Sequence, residues 1–297
     1  MSTESISARY AELDLWPTEQ AVAAMLDAQR EAVAAVQSQT GAIAKAAEAA
    51  AGRLADPKGR LVYAGAGTSG RLAVQDGVEL GPTYDWAEAR TAYLLAGGEA
   101  AVMASVEGAE DNVAAGEKAM AAIAPTAGDV VIAVSASGTT PYTVAAARAG
   151  AAAGALTIGI ASNAGSPLLA VVDHPITLDT GAEVIAGSTR MKAGTAQKVA
   201  LNLLSTAVML RLGRVYNGLM VNMRLSNDKL RRRAVEMVGE ITGVDKAAAA
   251  AALGQADGDI KLAALIARGA TPEAGGLALA AAGGNLRIAI GKTGEKR

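Results

Sequence analysis

The chain has no cysteine in its 297 residues. That excludes disulfide staples and thiolate chemistry. It has a single histidine, His174. One imidazole excludes a multi-histidine metal site and argues against a Ser-His-Asp triad, so acid–base chemistry near neutral pH falls mainly to carboxylates, lysine and tyrosine. Neither sign of charge is in surplus: 27 Lys and Arg face 29 Asp and Glu. There is thus no basic footprint for nucleic acid and no acidic tail. No apolar run is long enough for a bilayer. The longest, about 196–212, is interrupted by Lys198, Asn202 and Arg211. Residues 1–20 are polar, with Glu4, Glu12, Asp14 and Glu19, and do not read as a secretory signal. These absences predict a soluble, cytoplasmic protein with neither a nucleic-acid nor a membrane partner.

What is present is alanine, glycine and β-branched residues. The chain is 51% hydrophobic with 34 glycines, enough for one large α/β domain and a smaller one. A polar arm over 1–17 leads into an Ala-rich helical stretch to about residue 55. Asp56-Pro57-Lys58-Gly59 stops it. Strand candidates follow at 60–64, 91–96, 129–134, 155–160 and 174–178. Helical stretches at 68–80, 99–123, 141–153 and 166–172 separate them, and another opens near 195–212. Alternation of this kind predicts a parallel sheet sandwiched by helices. After about Asn227 the texture changes to short helices at 229–241, 245–253, 257–267 and 271–281, with Asp245 and Asp257 as N-caps and a tail over 291–297.

The centre of the chain is Gly65-Ala66-Gly67-Thr68-Ser69-Gly70-Arg71, between an apolar strand and a helix start. Unpaired N–H groups and the dipole of a helix N-terminus attract an anion there, and glycine lets it approach the backbone. The spacing also fits the dinucleotide fingerprint G-x-G-x-x-G, but the acidic partner of that motif would fall in GPTYDWAEAR, which does not read as a strand end. A pair of hydroxyls suits a phosphate monoester better. A second unit repeats the pattern, with Ser135, Ser137, Thr139 and Thr140 before Pro141. Two hydroxyl turns at strand C-terminal ends predict that Gly67, Thr68, Ser69, Ser135, Ser137 and Thr140 surround one phosphate. Arg190 and Lys192, in a further polar loop, are candidate phosphate ligands or subunit contacts. His174, before Pro175, reads as a structural residue near a strand start.

In order along the chain, GAGTSGRL, VELGPTY, VEGAEDN, SASGTTPY, GAEVIAGSTRMKAGTAQK and NGLMVNM together resemble the N-acetylmuramic acid 6-phosphate etherase family of sugar isomerase (SIS) domain enzymes. The resemblance covers most of the chain, and RMKAGTAQK and EGAED are its most specific parts. It implies an arm and helix over 1–55, a SIS phosphosugar domain over 56–226 and a small helical domain, similar to ubiquitin-associated bundles, over 227–297. It implies cleavage of the D-lactyl ether of N-acetylmuramate 6-phosphate to N-acetylglucosamine 6-phosphate and D-lactate. The route is a syn-type elimination followed by hydration, without metal or cofactor, in peptidoglycan amino-sugar recycling. It also implies a homodimer, with Glu110 as the base at C2 and Glu79 as the acid toward lactate. Glu107 and Asp111 compete locally for the role of Glu110. The chain departs from the family at Ser7 (usually Asn), at Thr139 (often Arg) and at Val78-Glu79-Leu80-Gly81-Pro82 (usually Ser-Glu-Cys-Pro-Pro). These departures bear on substrate identity more than on reaction type.

Two other functions fit the same fold. An aldose–ketose phosphosugar isomerase would abstract a similar proton but expel nothing, and a second glutamate at Glu79 favours the etherase. A non-catalytic sugar-phosphate sensor, similar to the glucokinase regulatory protein, would carry two SIS domains, and this chain has room for one.

Overall fold

Strands buried on both faces carry continuous apolar runs, and the three at the centre of the sheet do. In the computed structural model, which describes residues 2–294, these are β1 (Leu61–Gly65), β3 (Val130–Val134) and β4 (Leu156–Ala161), each buried at every position. The edges are β2 (Thr91–Leu95), half exposed over its first residues, and β5 (His174–Thr177). Pro175, which cannot donate to a ladder, is tolerated on β5 because that strand pairs only with β4. All five strands are parallel, in the order β2-β1-β3-β4-β5. Connections leave β1 toward one side and β3 toward the other, so the strand order reverses between them. Open α/β sheets bind ligands beyond the strand C-termini at such a switch point.

The chain divides into two compact units. One comprises residues up to 78 together with 89–208. The other comprises 79–88 together with 209 onward. The first carries the sheet with α1 (Thr18–Gln37), α2 (Thr40–Leu54), α3 (Gly67–Tyr84) as far as residue 78, α4 (Ala100–Met103), α5 (Val113–Ala122), α6 (Pro141–Ala152), α7 (Pro167–Ala170) and most of α8 (Lys192–Arg211). On one face Met120, Ala146 and Ala147 pack against Val62, Val131 and Ala133. Helix α2 lies against β3, β4 and β5. Each large aliphatic side chain buried here, such as Ile132 or Ile158, contributes about 1.5–3 kcal/mol. At the N-terminal ends of β1 and β3, the Asp129 carboxylate accepts from Arg60 Nη2 at 2.7 Å, Arg60 N–H at 2.9 Å and Thr126 N–H at 2.8 Å.

The second unit holds α9 (Asp228–Thr242), α10 (Lys246–Gln255), α11 (Ile260–Ala267), α12 (Pro272–Ala281) and α13 (Leu286–Gly294). Its core is built from Met237, Val238, Leu253, Ile260, Leu265 and Leu286 with interleaved alanines. Within this unit Arg214 donates to the carbonyls of Tyr84 and Asp85 at 2.7 and 3.1 Å and lies over Trp86. No helix among the described residues is long and apolar enough to cross a membrane.

Three local expectations are corrected. The helix expected over 99–123 is broken: Gly108 takes φ 69°, Ala109–Asp111 form a 3-10 turn, and Asn112 Oδ1 caps α5 by accepting from Ala115 N–H at 2.9 Å. Asp257 is not an N-cap. It takes φ 49° after α10, and Asp259 caps α11 by accepting from Lys261 and Leu262 N–H at 2.8 and 3.0 Å. The tail expected from 291 is helical to Gly294, and 295–297 lie outside the described residues.

Candidate functional site

The turn from β1 into α3 is tight. A Cβ on Gly65 would lie 2.8 Å from Gly70 Cα, and Gly67 takes φ 51°. Glycine at these positions lets the first turn of α3 fold directly onto the strand end, and the leading N–H groups of that turn have no partner within the helix. Beside it, the β3–α6 turn is an internal network. Ser135 is buried. Its Oγ lies 2.8 Å from Thr140 Oγ1 and 3.3 Å from Ser137 Oγ, and accepts from Gly138 N–H at 3.0 Å. Ser137 Oγ accepts from Thr139 N–H and Oγ1 at 3.1 and 3.0 Å. Asn163 supports the turn from the next loop by donating to the carbonyls of Ala136 and Ser137.

These turns form two walls of a cavity of about 360 Å³. Gly67, Thr68 and Ser69 line one wall, and Ser137, Thr139 and Thr140 the second. The 3-10 turn after Gly108 supplies Glu110 and Asp111, and the loop before α8 supplies Gly187 and Thr189. Glu4 comes from the N-terminal arm. Arg71, the last residue of the glycine motif, steadies the segment leading to Glu110 by donating to the carbonyls of Ala101, Val102 and Ala104 at 2.9, 3.1 and 3.0 Å. Among the described residues no lysine or arginine lines the cavity. An anion there meets hydroxyls and a helix N-terminus on two walls, with the carboxylates of Glu4, Glu110 and Asp111 on the others.

The sequence-derived candidates therefore separate. Gly67, Thr68, Ser69, Ser137, Thr140 and Glu110 meet in one cavity, and Ser135 lies beneath its hydroxyls. Asp111 shares the cavity, whereas Glu107 lines a neighbouring one of about 200 Å³. Lys192 does not line the cavity. Its Nζ donates to Glu31 Oε2 at 2.8 Å and to the Ala182 carbonyl at 3.1 Å. That hydrogen bond holds the Glu31 carboxyl below its ordinary range against the opposing effect of burial, with Arg9 adding to it. Arg190 is exposed and outside the cavity. Glu79 is exposed on α3, about three turns after Ser69, and is not among the lining residues. His174 opens β5, away from the strand C-termini.

Four residues had no role in the sequence reading. Thr189 and Glu4 line the cavity. Glu183 is fully buried and caps α8, accepting from Lys192 N–H at 2.8 Å and Ala193 N–H at 2.9 Å. It lay within the GAEVIAGSTRMK stretch, but nothing in the sequence pairs it with a helix start nine positions on. Asp76 accepts from Tyr63 Oη, Asn202 Nδ2 and Ser205 Oγ at 2.9, 2.8 and 3.1 Å, tying α3 to β1 and α8. Burial pushes its carboxyl above the ordinary range despite these donors.

The chain is 50% identical over 291 residues to the N-acetylmuramic acid 6-phosphate etherase of Deinococcus radiodurans, covering 98% of this chain and 95% of the relative. It is 44% identical over 294 residues to that of Streptomyces avermitilis, with coverage of 98% and 93%. A family model described as the glucokinase regulatory protein N-terminal SIS domain matches residues 42–150. A solved structure of a candidate phosphosugar isomerase involved in capsule formation from Bacteroides fragilis aligns with TM-score 0.50 and 21% identity, covering 66% of this chain and 94% of that one. The fold is that of a SIS domain.

Proposed function

The chain belongs to the N-acetylmuramic acid 6-phosphate etherase family, and from that membership we infer that it is a carbon–oxygen lyase. It cleaves the lactyl ether of N-acetylmuramate 6-phosphate to N-acetylglucosamine 6-phosphate and D-lactate. The observation that carries the site is the hydroxyl-lined cavity at the sheet switch point, with the Glu110 carboxylate in its wall. Thr68, Ser69, Ser137 and Thr140, with the α3 N-terminus, hold the phosphate and fix the open sugar against Glu110.

In the open-chain aldehyde the carbonyl acidifies the C2 proton, and Glu110 takes it. The C3–O bond then breaks, Glu79 protonates the departing lactate oxygen, and water adds to the unsaturated aldehyde at C3. Proton transfer by positioned groups of this kind contributes about 10²–10⁴-fold. A homodimer, a cytoplasmic setting and a place in peptidoglycan amino-sugar recycling belong to the same proposal. The isomerase and sensor readings are not favoured by the near full-length similarity to etherases.

Lactate release from N-acetylmuramate 6-phosphate, run beside fructose 6-phosphate isomerisation, tests the reaction. Glu110→Gln loses both lactate release and exchange of the C2 proton with solvent deuterium. Glu79→Gln loses lactate release and keeps C2 exchange. The opposite pattern would reverse the two roles, and full lactate release in both variants would remove both residues from the chemistry.

A further inference from the structure

Elimination starts from an aldehyde, but the sugar reaches the protein as a cyclic hemiacetal. In the ring C1 carries no carbonyl to acidify the C2 proton. Ring opening breaks the C1–O5 bond, forms C1=O1 and moves one proton from O1 to O5, so a group that accepts and returns a proton is needed at C1. Histidine is the usual shuttle near neutral pH. The one histidine of this chain opens the edge strand β5, at the far end from the strand C-termini that form the cavity. Among the described residues no lysine, arginine or tyrosine lines the cavity either. Three carboxylates remain: Glu110, Asp111 and Glu4.

We propose that Glu4 is the ring-opening group, taking the proton from O1 and delivering it to O5. This rests on the etherase reading, in which Glu110 is committed to C2. Asp111 adjoins Glu110 on a 3-10 turn, where successive side chains diverge by about 120°, so the two do not face one point. Glu4 enters from a separate segment that is built into the site. Thr3 beside it is fully buried, and its carbonyl accepts from Gly187 N–H at 3.0 Å. Gly187 takes φ 75°, and a Cβ there would lie 2.9 Å from Glu4 Oε2, so glycine leaves the space that this carboxylate occupies. No hydrogen bond or ion pair with another described residue holds the Glu4 side chain, which leaves both oxygens for a ligand.

The test compares the natural substrate with an open-chain analogue that carries the phosphate and the lactyl ether but lacks the C4 and C5 hydroxyls, so that it cannot close a ring. Glu4→Gln loses about 10²-fold or more of lactate release from the cyclic substrate, down to the floor set by spontaneous opening in water. On the open-chain analogue it matches wild type, and its affinity for inorganic phosphate is retained. Equal losses on both compounds, lost phosphate affinity, an unchanged rate on the cyclic substrate, or the same substrate split in Asp111→Asn instead would each overturn the proposal. Absence of lactate release by wild type from both compounds would overturn the etherase reading beneath it.

Discussion

Removing Glu183 tests whether the site is held from behind by a single buried carboxylate. Its two oxygens accept from the N–H groups of Lys192 and Ala193, the first turn of α8, and all three residues are buried. In Glu183→Ala both N–H groups lose their acceptor in a place water does not reach. Hydrogen bonds to a charged group contribute about 1.5–3 kcal/mol each, so the gross loss is about 3–6 kcal/mol. Removing a buried charge returns part of its desolvation penalty, leaving a net loss of about 3 kcal/mol. Glu183→Gln keeps one acceptor and turns an amide N–H₂ toward the other donor, for a loss of about 2 kcal/mol. Urea unfolding reads the difference as a shift in midpoint at unchanged slope. The effect reaches the cavity because the segment between Glu183 and α8 carries Gly187 and Thr189, so phosphate affinity falls with stability. A shift under about 0.5 kcal/mol, the range of ordinary surface substitutions, would refute the capping role.

Ser69→Ala removes one hydroxyl donor to a charged ligand and weakens binding of sugar 6-phosphates by about 1.5–3 kcal/mol in calorimetry, whereas Lys192→Met, whose ammonium is engaged by Glu31, leaves that affinity unchanged. The reverse result would move the phosphate to the α8 loop. Burial pushes the Asp129 carboxyl up, but hydrogen bonds from Arg60 and Thr126 outweigh it and hold it below the ordinary range. A depressed carboxyl stabilises the fold above its unfolded pKa and loses that contribution as pH falls through the folded one. Asp129→Asn is therefore less stable than wild type by about 3 kcal/mol at neutral pH, and the gap closes below about pH 4; a gap independent of pH would show that the charge is not responsible. Mixing inactive Glu79→Gln and Glu110→Gln subunits under exchange conditions restores lactate release if each site draws its two glutamates from different chains. We expect recovery, since Glu79 is exposed on its own chain, and no recovery would assign both to one subunit.

The sheet was legible because burial on both faces forces apolar runs. The central strands fall within one residue of 60–64, 129–134 and 155–160. The hydroxyl turns were legible for a related reason, since glycines and hydroxyls directly after such runs have few other uses. What depends on long-range pairing was not legible. Lys192 carries the charge of a phosphate ligand, but its partner Glu31 stands 161 residues away, and no local pattern separates the two fates. Glu4 lies in an arm with no periodicity, and its place follows from the bond that the neighbouring Thr3 carbonyl accepts from Gly187 N–H. The helix expected over 68–80 runs on to Tyr84 with Pro82 in its last turn, although proline cannot donate to the carbonyl four residues back, which is why Gly81-Pro82 reads in sequence as a stop.

Among the described residues no cation stands in the cavity wall, which fits a chemistry that works through carboxylates. A lysine or arginine beside the phosphate would ease the placement of a dianion among Glu4, Glu110 and Asp111. It would also draw one of those carboxylates into an ion pair, and the lone pairs spent there could not accept the C2 proton. Neutral donors avoid that competition. In the proposed site, hydroxyls and N–H groups of the α3 turn would bind the phosphate oxygens, and the helix dipole would supply the favourable field in place of a full charge. The basic groups nearest in sequence are engaged or turned away accordingly. Arg71 is spent on the carbonyls of Ala101, Val102 and Ala104, and Lys192 on Glu31 and Ala182. The backbone around the site is held separately: Arg71 ties down 101–104, ahead of the Glu110 turn, and Glu183 caps α8, after the Gly187 loop.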